Sequence, residues 1–152
     1  MCGLAGSVGK NIYKNYLNLL SNRGPDSRGI YKDENIQLCH TRLSIIDIEG
    51  SGAQQPTISK NNNVLVYNGE IYNYKEIIDQ FNLNVSKLAG DTEVLLACIQ
   101  KVGINKTLEN IIGMFSFCYY DKKQKKLWLV RDRLGQKPLF YYQSNKTLTF
   151  AS

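Results

Sequence analysis

Two dense apolar runs, Met114–Tyr120 (MFSFCYY) and Leu127–Val130 (LWLV), stand on either side of a lysine-rich segment, Lys122–Lys126 (KKQKK). Runs of aromatic and aliphatic residues joined by a short polar segment predict two strands of a hairpin. Neither run alternates between apolar and polar residues, so both faces of these strands are expected to be covered by other elements. The pattern therefore favours two packed sheets with helices outside them.

The remaining elements follow from shorter patterns of the same kind. Apolar residues at helical spacing, or in continuous runs bounded by glycine, proline and asparagine, mark the segments. The predicted strands are Cys2–Val8, Ile36–Ile46, Val64–Tyr67 and a second hairpin of Pro138–Tyr142 and Thr147–Ala151. The predicted helices are Asn11–Leu20, Tyr74–Phe81 and a stronger one that begins at Asp91 and ends before Gly103.

The composition is that of one globular domain in the cytosol. The 152 residues are 43% hydrophobic and 21% charged, which is enough apolar material for a core. No stretch is long and apolar enough to cross a membrane, and the N-terminus lacks the pattern of a secretory signal. The formal charge of +6 is concentrated in Lys122–Lys126, which we interpret as a solvated hairpin tip. No nucleic-acid-binding motif accompanies that charge, so neither nucleic acid nor a membrane is expected as a partner.

The cysteines and the single histidine limit the chemistry that is available. The four cysteines show no metal-ligand spacing, and Cys98 and Cys118 lie in apolar stretches that predict core positions. His40 is the sole histidine, and it follows Cys39 within a predicted strand. Neighbours in a strand point to opposite faces, which argues against a dyad of these two side chains.

Cys2 has a special position because it directly follows the initiator Met1. Removal of Met1 would leave a free α-amine beside the thiol of the same residue. Reference pKa values are about 7.7–8.0 for an α-amine and about 8.5 for a cysteine thiol. One residue would then hold both a nucleophile and a base near neutral pH, although most cysteines at position 2 are incidental.

Two further features are consistent with this chemistry. An asparagine amide and an adjacent glycine N–H, as in Asn68-Gly69, can stabilise one oxyanion, but Asn-Gly is also the commonest hairpin turn. Arg42, Glu70 and Asp91 could bind the carboxylate and ammonium of a free amino acid. Taken alone, Asp91 is interpreted first as a helix N-cap, and Arg42 as a surface or paired arginine.

Seven motifs together resemble a known family, the N-terminal glutaminase domain of glutamine-hydrolysing asparagine synthetases of the B type. The resemblance covers essentially the whole chain. In order, the motifs are Met1-Cys2-Gly3-Leu4-Ala5-Gly6, Arg23-Gly24-Pro25-Asp26, His40-Thr41-Arg42-Leu43-Ser44-Ile45-Ile46-Asp47, Asn68-Gly69-Glu70-Ile71-Tyr72-Asn73, Gly90-Asp91-Thr92-Glu93, Gly113-Met114-Phe115 and Arg131-Asp132-Arg133-Leu134-Gly135.

The resemblance implies an α+β fold, the N-terminal-nucleophile hydrolase fold, which is a four-layer αββα sandwich of two mainly antiparallel sheets. It implies that Cys2 is the nucleophile after removal of Met1, and that Asn68 and the Gly69 N–H form the oxyanion hole. It implies a glutamine site in which Arg42 binds the carboxylate, with Leu43 and Ile45 beside it, and in which Glu70 and Asp91 hold the amino group.

Two departures from the family pattern are Asn22 and Tyr74, where the family often has histidine. Neither removes a role assigned above. Residues 1–152 are expected to be a fragment, a type 2 glutamine amidotransferase domain without its C-terminal synthetase domain. By resemblance, that domain would receive the ammonia and bind ATP and magnesium, whereas this chain needs no cofactor or metal. The resemblance is also compatible with a homodimer.

The ammonia acceptor is left open by the sequence. The same glutaminase domain occurs in amidotransferases for nucleotide sugars or surface polysaccharides. A non-catalytic module that binds glutamine is an alternative from a different class, and the presence of Cys2, Asn68, Gly69, Arg42 and Asp91 argues against it.

Overall fold

The fold is an α+β sandwich of two antiparallel sheets. The structure, a computed structural model, describes residues 2–9, 15–43, 54–86 and 88–152. Its strands are β1 Gly3–Val8, β2 Ser27–Lys32, β3 Ile36–Arg42, β4 Thr57–Ile58, β5 Val64–Ile71, β6 Gly113–Asp121, β7 Lys126–Arg131, β8 Phe140–Ser144 and β9 Thr147–Ala151. Its helices are α1 Tyr16–Leu19, α2 Tyr74–Phe81, α3 Asp91–Val102 and α4 Ile104–Asn110. Within the described ranges, no helix has the length and apolar character needed to span a bilayer.

Strand order divides the chain into two sheets. The five-stranded sheet has the order β2-β3-β1-β9-β8, and the four-stranded sheet has the order β4-β5-β6-β7. All neighbouring strands are antiparallel. The predicted sandwich is therefore confirmed, and so is the hairpin of β6 and β7 across the lysine-rich turn.

Two apolar layers hold the sandwich together. One lies between the sheets and includes Leu4, Leu38, Val66 and Phe150. The other lies between the four-stranded sheet and the helices, and the fully buried Phe117 belongs to it. Because β5 and β6 contribute side chains to both layers, these strands are apolar on both faces, as their sequences predict.

Strand β1 lies in the middle of the five-stranded sheet. It pairs with β3 from Gly3↔Thr41 to Val8↔Ile36, and with β9 from Ala5↔Ala151 to Val8↔Leu148. Two hydrogen bonds continue this second pairing, since the Leu4 N–H donates to Ser152 Oγ (3.0 Å) and the Ser152 N–H donates to the Leu4 carbonyl (2.9 Å). The first strand of the chain is therefore fixed on both sides.

Several elements differ from the sequence prediction. Strand β5 continues to Ile71, so Asn68-Gly69 lies inside a strand and the turn interpretation is wrong. Strands β2 and β4 and helix α4 were not predicted. Strand β4 has only two residues, and β2 and α4 are short and fully bury at most one side chain each. Parts of the predicted elements, residues 11–14 and 44–46, lie outside the described residues.

Candidate active site

The Cys2 thiol lies at the end of β3. Because β1 and β3 are antiparallel neighbours, the residue before β1 stands beside the residues that end β3. The Leu43 N–H donates to Cys2 Sγ at 3.4 Å, and the sulfur lies 3.7 Å from the Leu43 carbonyl oxygen. Cys2 is half-buried, so its thiol is held by the backbone and still reaches the surface.

The Arg23-Gly24 segment also contacts Cys2 and the end of β3. Arg23 Nε–H donates to the Cys2 carbonyl oxygen at 3.3 Å. Gly24 packs against the backbone of Thr41 and Arg42, where an added Cβ would come within 2.4 Å of the Thr41 carbonyl carbon. A larger residue at position 24 would push this segment away from β3 and from Cys2.

Asn68 places an unpaired amide in the interior of the sandwich. Its side chain shares a face of β5 with Val64 and Val66, which pack between the two sheets. Asn68 is 3% exposed, and its Nδ2 atom is buried with no hydrogen-bond partner among the described residues. Buried donors are nearly always paired, so an unpaired one calls for a functional explanation.

The Gly69 N–H points past the end of a strand. In an antiparallel strand the backbone groups of alternate residues point to the same side. The Tyr67 N–H donates to the side-chain oxygen of Gln55, in the segment that leads into β4, and the Ile71 N–H donates to a side-chain oxygen of Asp91. Gly69 lies between them with the same orientation, and β4 pairs with β5 only as far as Leu65. Its N–H therefore points away from β6 and lies beyond the residues of β5 that pair with β4.

Gly69 is also required by packing. On its other side β6 comes so close that an added Cβ would lie 2.3 Å from the Met114 carbonyl oxygen and 2.7 Å from Phe115 Cα. The Asn-Gly pair thus combines an unpaired side-chain amide with a backbone N–H at the close approach of two strands. Two such donors on one short segment are able to stabilise an oxyanion.

Asp91 does not cap its helix, which corrects the first interpretation of this residue. It is the first residue of α3, and the capping position is Gly90, which makes no side-chain capping bond. The Asp91 carboxylate is turned toward β5, where its Oδ2 accepts from the Tyr67 hydroxyl (2.6 Å) and from the Ile71 N–H (3.0 Å). The predicted binding residue therefore lies beside the strand that carries Asn68 and Gly69.

Tyr67 connects the negative charges of the site. Burial is the main cause that raises the pKa of its phenol above the ordinary value, and the charge of Asp91 and the hydrogen bond to it come next. Smaller contributions come from Glu70 and then from Cys2. Of these groups, Asp91 is the one that contacts the phenol directly.

The other predicted binding residues are placed as follows. Arg42 is half-buried at the end of β3, one residue before Leu43, whose backbone contacts the Cys2 thiol. Glu70 is half-buried on the same face of β5 as Asn68. Ile45 lies outside the described residues.

His40 links the two sheets and is unsuited to act as a base. It is 1% exposed, and its Nε2 lies 3.0 Å from the Tyr67 carbonyl oxygen. Because a carbonyl only accepts, Nε2 carries the hydrogen. Burial lowers the pKa of His40 to about 4, against the effect of the Tyr67 hydrogen bond and with a smaller contribution from the Arg42 charge. The ring is therefore neutral at pH 7 and a weak base.

The other three thiols are chemically quiet. Cys39, Cys98 and Cys118 are buried, which confirms the core positions predicted for the last two. Burial raises the pKa of Cys39 to about 11 and that of Cys118 well above its ordinary value. Since the thiolate is the reactive form, Cys2 is the thiol best placed to react. The described residues contain no group of three or more His, Cys, Asp or Glu side chains that could hold a metal ion.

Comparison with known proteins identifies the family of this chain. Residues 1–152 match the family described as "Glutamine amidotransferase domain". The chain belongs to this family. Among the relatives of this amidotransferase domain is asparagine synthetase [glutamine-hydrolyzing] 2 of Bacillus subtilis, which is 38% identical over 163 residues, covering 100% of this chain and 21% of the relative. A putative asparagine synthetase [glutamine-hydrolyzing] 2 of Methanocaldococcus jannaschii is 35% identical, covering 100% of this chain and 34% of the relative.

The fold of the amidotransferase domain is shared with more distant structures. The glutamine phosphoribosylpyrophosphate amidotransferase of B. subtilis, solved with ADP and GMP, superposes with a TM-score of 0.80 at 20% identity. The match covers 99% of this chain and 41% of that one. The fold class expected from the sequence motifs is therefore confirmed. This chain spans a fifth to a third of the two asparagine synthetases named above.

Two residues of this amidotransferase domain were not singled out from the sequence. Tyr67 ends an apolar run and was interpreted only as part of a buried strand, because nothing local indicates the partner of its hydroxyl. Asp132 belongs to one of the seven motifs but had no assigned role. Its carboxylate accepts backbone N–H groups at 2.9–3.2 Å, which join the end of β7 to β6; the donors are Phe115, Leu134, Gln136 and Lys137.

Proposed function

We propose that this chain hydrolyses the side-chain amide of glutamine to glutamate and ammonia, through a thioester on Cys2. The observation that carries the proposal is a pair of donors on β5: Asn68 Nδ2, which has no partner among the described residues, and the Gly69 N–H, which points away from β6. Strand β5 is linked to β3 by the contact of Tyr67 with His40, and the end of β3 contacts the Cys2 thiol. In acyl transfer the developing charge is on the carbonyl oxygen, and two fixed donors are the usual means of stabilising it.

The reaction proceeds in two steps. With Met1 removed, the α-amine of Cys2 takes the thiol proton, and the sulfur attacks the amide carbon of glutamine. The tetrahedral oxyanion rests on Asn68 and Gly69 until the carbon–nitrogen bond breaks. The leaving nitrogen takes the proton back from the amine and departs as ammonia. Water then attacks the thioester, gives its proton to the amine, and releases glutamate and the free thiol.

The substrate is held by its α-amino and α-carboxylate groups. We propose that Arg42 binds the carboxylate through its planar guanidinium. Leu43 and Ile45 flank the glutamine, and the carboxylates of Glu70 and Asp91 bind the ammonium. The Asp91 contact is supported by its geometry, because both hydrogen bonds that it accepts from the described residues end on Oδ2, so Oδ1 is proposed to bind the substrate ammonium.

The ammonia is proposed to serve a longer protein. Relatives named as glutamine-hydrolysing asparagine synthetases are three to five times as long as this chain, which supports aspartate as the acceptor and a C-terminal synthetase domain as the partner. ATP and magnesium would be needed there and not in this chain.

The test is a glutamate-release assay on two matched preparations, one with Met1 removed and one with Met1 retained. The processed protein is expected to release glutamate. The Met1-retaining protein is expected to be inactive, because its Cys2 nitrogen is a peptide N–H without a basic lone pair. Full activity with Met1 in place would contradict the α-amine mechanism.

An electrophilic glutamine analogue identifies the reacting atom. Mass spectrometry should find the adduct on the N-terminal peptide alone. Cys2→Ala should abolish both labelling and activity, and Cys2→Ser should leave only traces because a hydroxyl is a far weaker acid than a thiol. Cys39→Ala is the matched control, since it removes a buried thiol of the same sheet and should retain activity. Labelling of Cys39, or activity in Cys2→Ala, would contradict the assignment.

A further inference from the structure

Tyr67 is held in place by every polar group that it carries. Its side chain is 2% exposed, in the layer between the four-stranded sheet and the helices. Its N–H donates to Gln55 Oε1 at 2.6 Å, and its carbonyl oxygen lies 3.0 Å from His40 Nε2. Its hydroxyl donates to Asp91 Oδ2 at 2.6 Å. Because both the backbone and the hydroxyl of Tyr67 are hydrogen-bonded, the hydroxyl is oriented toward Asp91.

Asp91 receives two hydrogen bonds on a single oxygen. Oδ2 accepts from the Tyr67 hydroxyl and from the Ile71 N–H, one from a side chain and one from the backbone of the same strand. Two donors on one oxygen fix the plane of the carboxylate, so the position of Oδ1 is fixed as well. Asp91 is half-buried, and the described residues make no hydrogen bond to Oδ1.

The cost of this arrangement also points to a role in binding. Burial and the nearby charge of Asp91 both raise the pKa of Tyr67, so the phenol remains protonated and acts only as a donor. Placing an apolar ring in this core would not need a hydroxyl, as the neighbouring Phe115 and Phe117 illustrate. The hydroxyl of Tyr67 is therefore explained by Asp91 and not by packing.

We infer that Tyr67 is a positioning residue for glutamine recognition: its hydroxyl holds Asp91 so that Oδ1 receives the α-ammonium of the substrate. This inference rests on the proposed function and concerns how the amino group is recognised. Tyr67 does not touch the substrate, and it acts only through Asp91.

The experiment compares Tyr67→Phe with Tyr119→Phe in the Met1-processed chain. Tyr119 is a matched control because it is a buried tyrosine of the same layer, on the neighbouring strand, and its hydroxyl accepts from Asn63 Nδ2 at 2.8 Å instead of contacting Asp91. Tyr67→Phe should raise KM for glutamine about tenfold with kcat little changed, the size expected for loss of one hydrogen bond to a charged group. Tyr119→Phe should leave KM unchanged.

A second measurement separates positioning from a general structural effect. Glutaramate, the analogue of glutamine without the α-amino group, should inhibit Tyr67→Phe and the unmutated protein with the same constant, because it cannot use Asp91. In an Asp91→Asn background, Tyr67→Phe should add no further increase in KM. Equal weakening of glutamine and glutaramate, or additive effects of the two substitutions, would overturn the inference.

Failure of the inference is distinguishable from failure of the proposed function. An unmutated, processed protein that neither hydrolyses nor binds glutamine overturns both. An active protein whose Tyr67→Phe variant behaves like Tyr119→Phe overturns the inference alone.

Discussion

A hydrogen bond between His40 of β3 and Tyr67 of β5 links the two sheets, with 3.0 Å between His40 Nε2 and the Tyr67 carbonyl oxygen. Tyr67 directly precedes Asn68 in β5. On the other sheet, β3 continues from His40 to Arg42, and the next residue, Leu43, contacts the Cys2 thiol. The hydrogen bond therefore links β3, whose end contacts the Cys2 thiol, to β5, which carries Asn68, beside the apolar layer between the two sheets. Changes in the charge of His40 should accordingly affect the stability of the sandwich.

The protein is predicted to become less stable as the pH is lowered, because of His40. Burial lowers the pKa of His40 to about 4, whereas the unfolded chain has the ordinary value of 6.5. Between these values the unfolded chain binds the extra proton, so the free energy of unfolding decreases as the pH falls through this window and levels off below it. Across the whole window the free energy of unfolding is expected to decrease by roughly 3 kcal/mol.

Denaturant unfolding at a series of pH values from 7.5 to about 4 would measure this effect. His40→Gln is the control, since it keeps a donor for the Tyr67 carbonyl and cannot titrate. An equal pH dependence in the variant and the unmutated protein would show that other groups are responsible.

Asn68→Ala is predicted to lower turnover far more than it weakens glutamine binding. Loss of one oxyanion donor costs about 10²–10³ in kcat. Ser116→Ala is the matched control, because Ser116 lies directly opposite Asn68 on β6 and its buried hydroxyl also has no partner among the described residues. That variant should keep kcat. Its free energy of unfolding should rise by about 1 kcal/mol, because a buried hydroxyl without a partner among the described residues is removed.

Steady-state kinetics of glutamate release would distinguish the two roles of Asn68. A raised KM with unchanged kcat would assign Asn68 to substrate binding instead of to catalysis.

Arg42→Lys is predicted to raise KM for glutamine by about tenfold or more, although the positive charge is kept. A guanidinium binds a carboxylate through two parallel hydrogen bonds, which an ammonium cannot reproduce. Arg28→Lys, at an exposed position on the neighbouring strand β2, is the control and should leave KM unchanged. Equal reaction of glutamine and of an analogue without the α-carboxylate would show that Arg42 has a different role.

The sequence predicts best the parts of this fold that depend on local patterns. Helix α2 begins and ends where the apolar spacing indicates, and α3 begins at Asp91 and ends before Gly103. The hairpin of β6 and β7 follows in the same way from its two apolar runs. Helix α4 has only seven residues, and within them only Ile104 and Leu108 pack against the core, so its apolar spacing is too short to distinguish it from a loop.

The site depends on partners that are distant in the sequence. Asn68-Gly69 has the local signature of a turn, and only the pairing with β6 keeps it in a strand. Asp91 has the local signature of a cap, and only Tyr67 and Ile71 explain its orientation. The motifs of the family predict roles for these residues, whereas their contacts could not be derived from spacing.

The position of β1 between β3 and β9 affects the order in which the site can be built. During synthesis Cys2 is made long before residues 148–151, which pair with β1. Contacts between residues so far apart in the chain also form slowly, because a long loop must close first. A chain made only as far as β8 therefore has Cys2 but lacks the strand that completes the pairing of β1. The proposed active site is accordingly assembled only after residues 148–151 have been made.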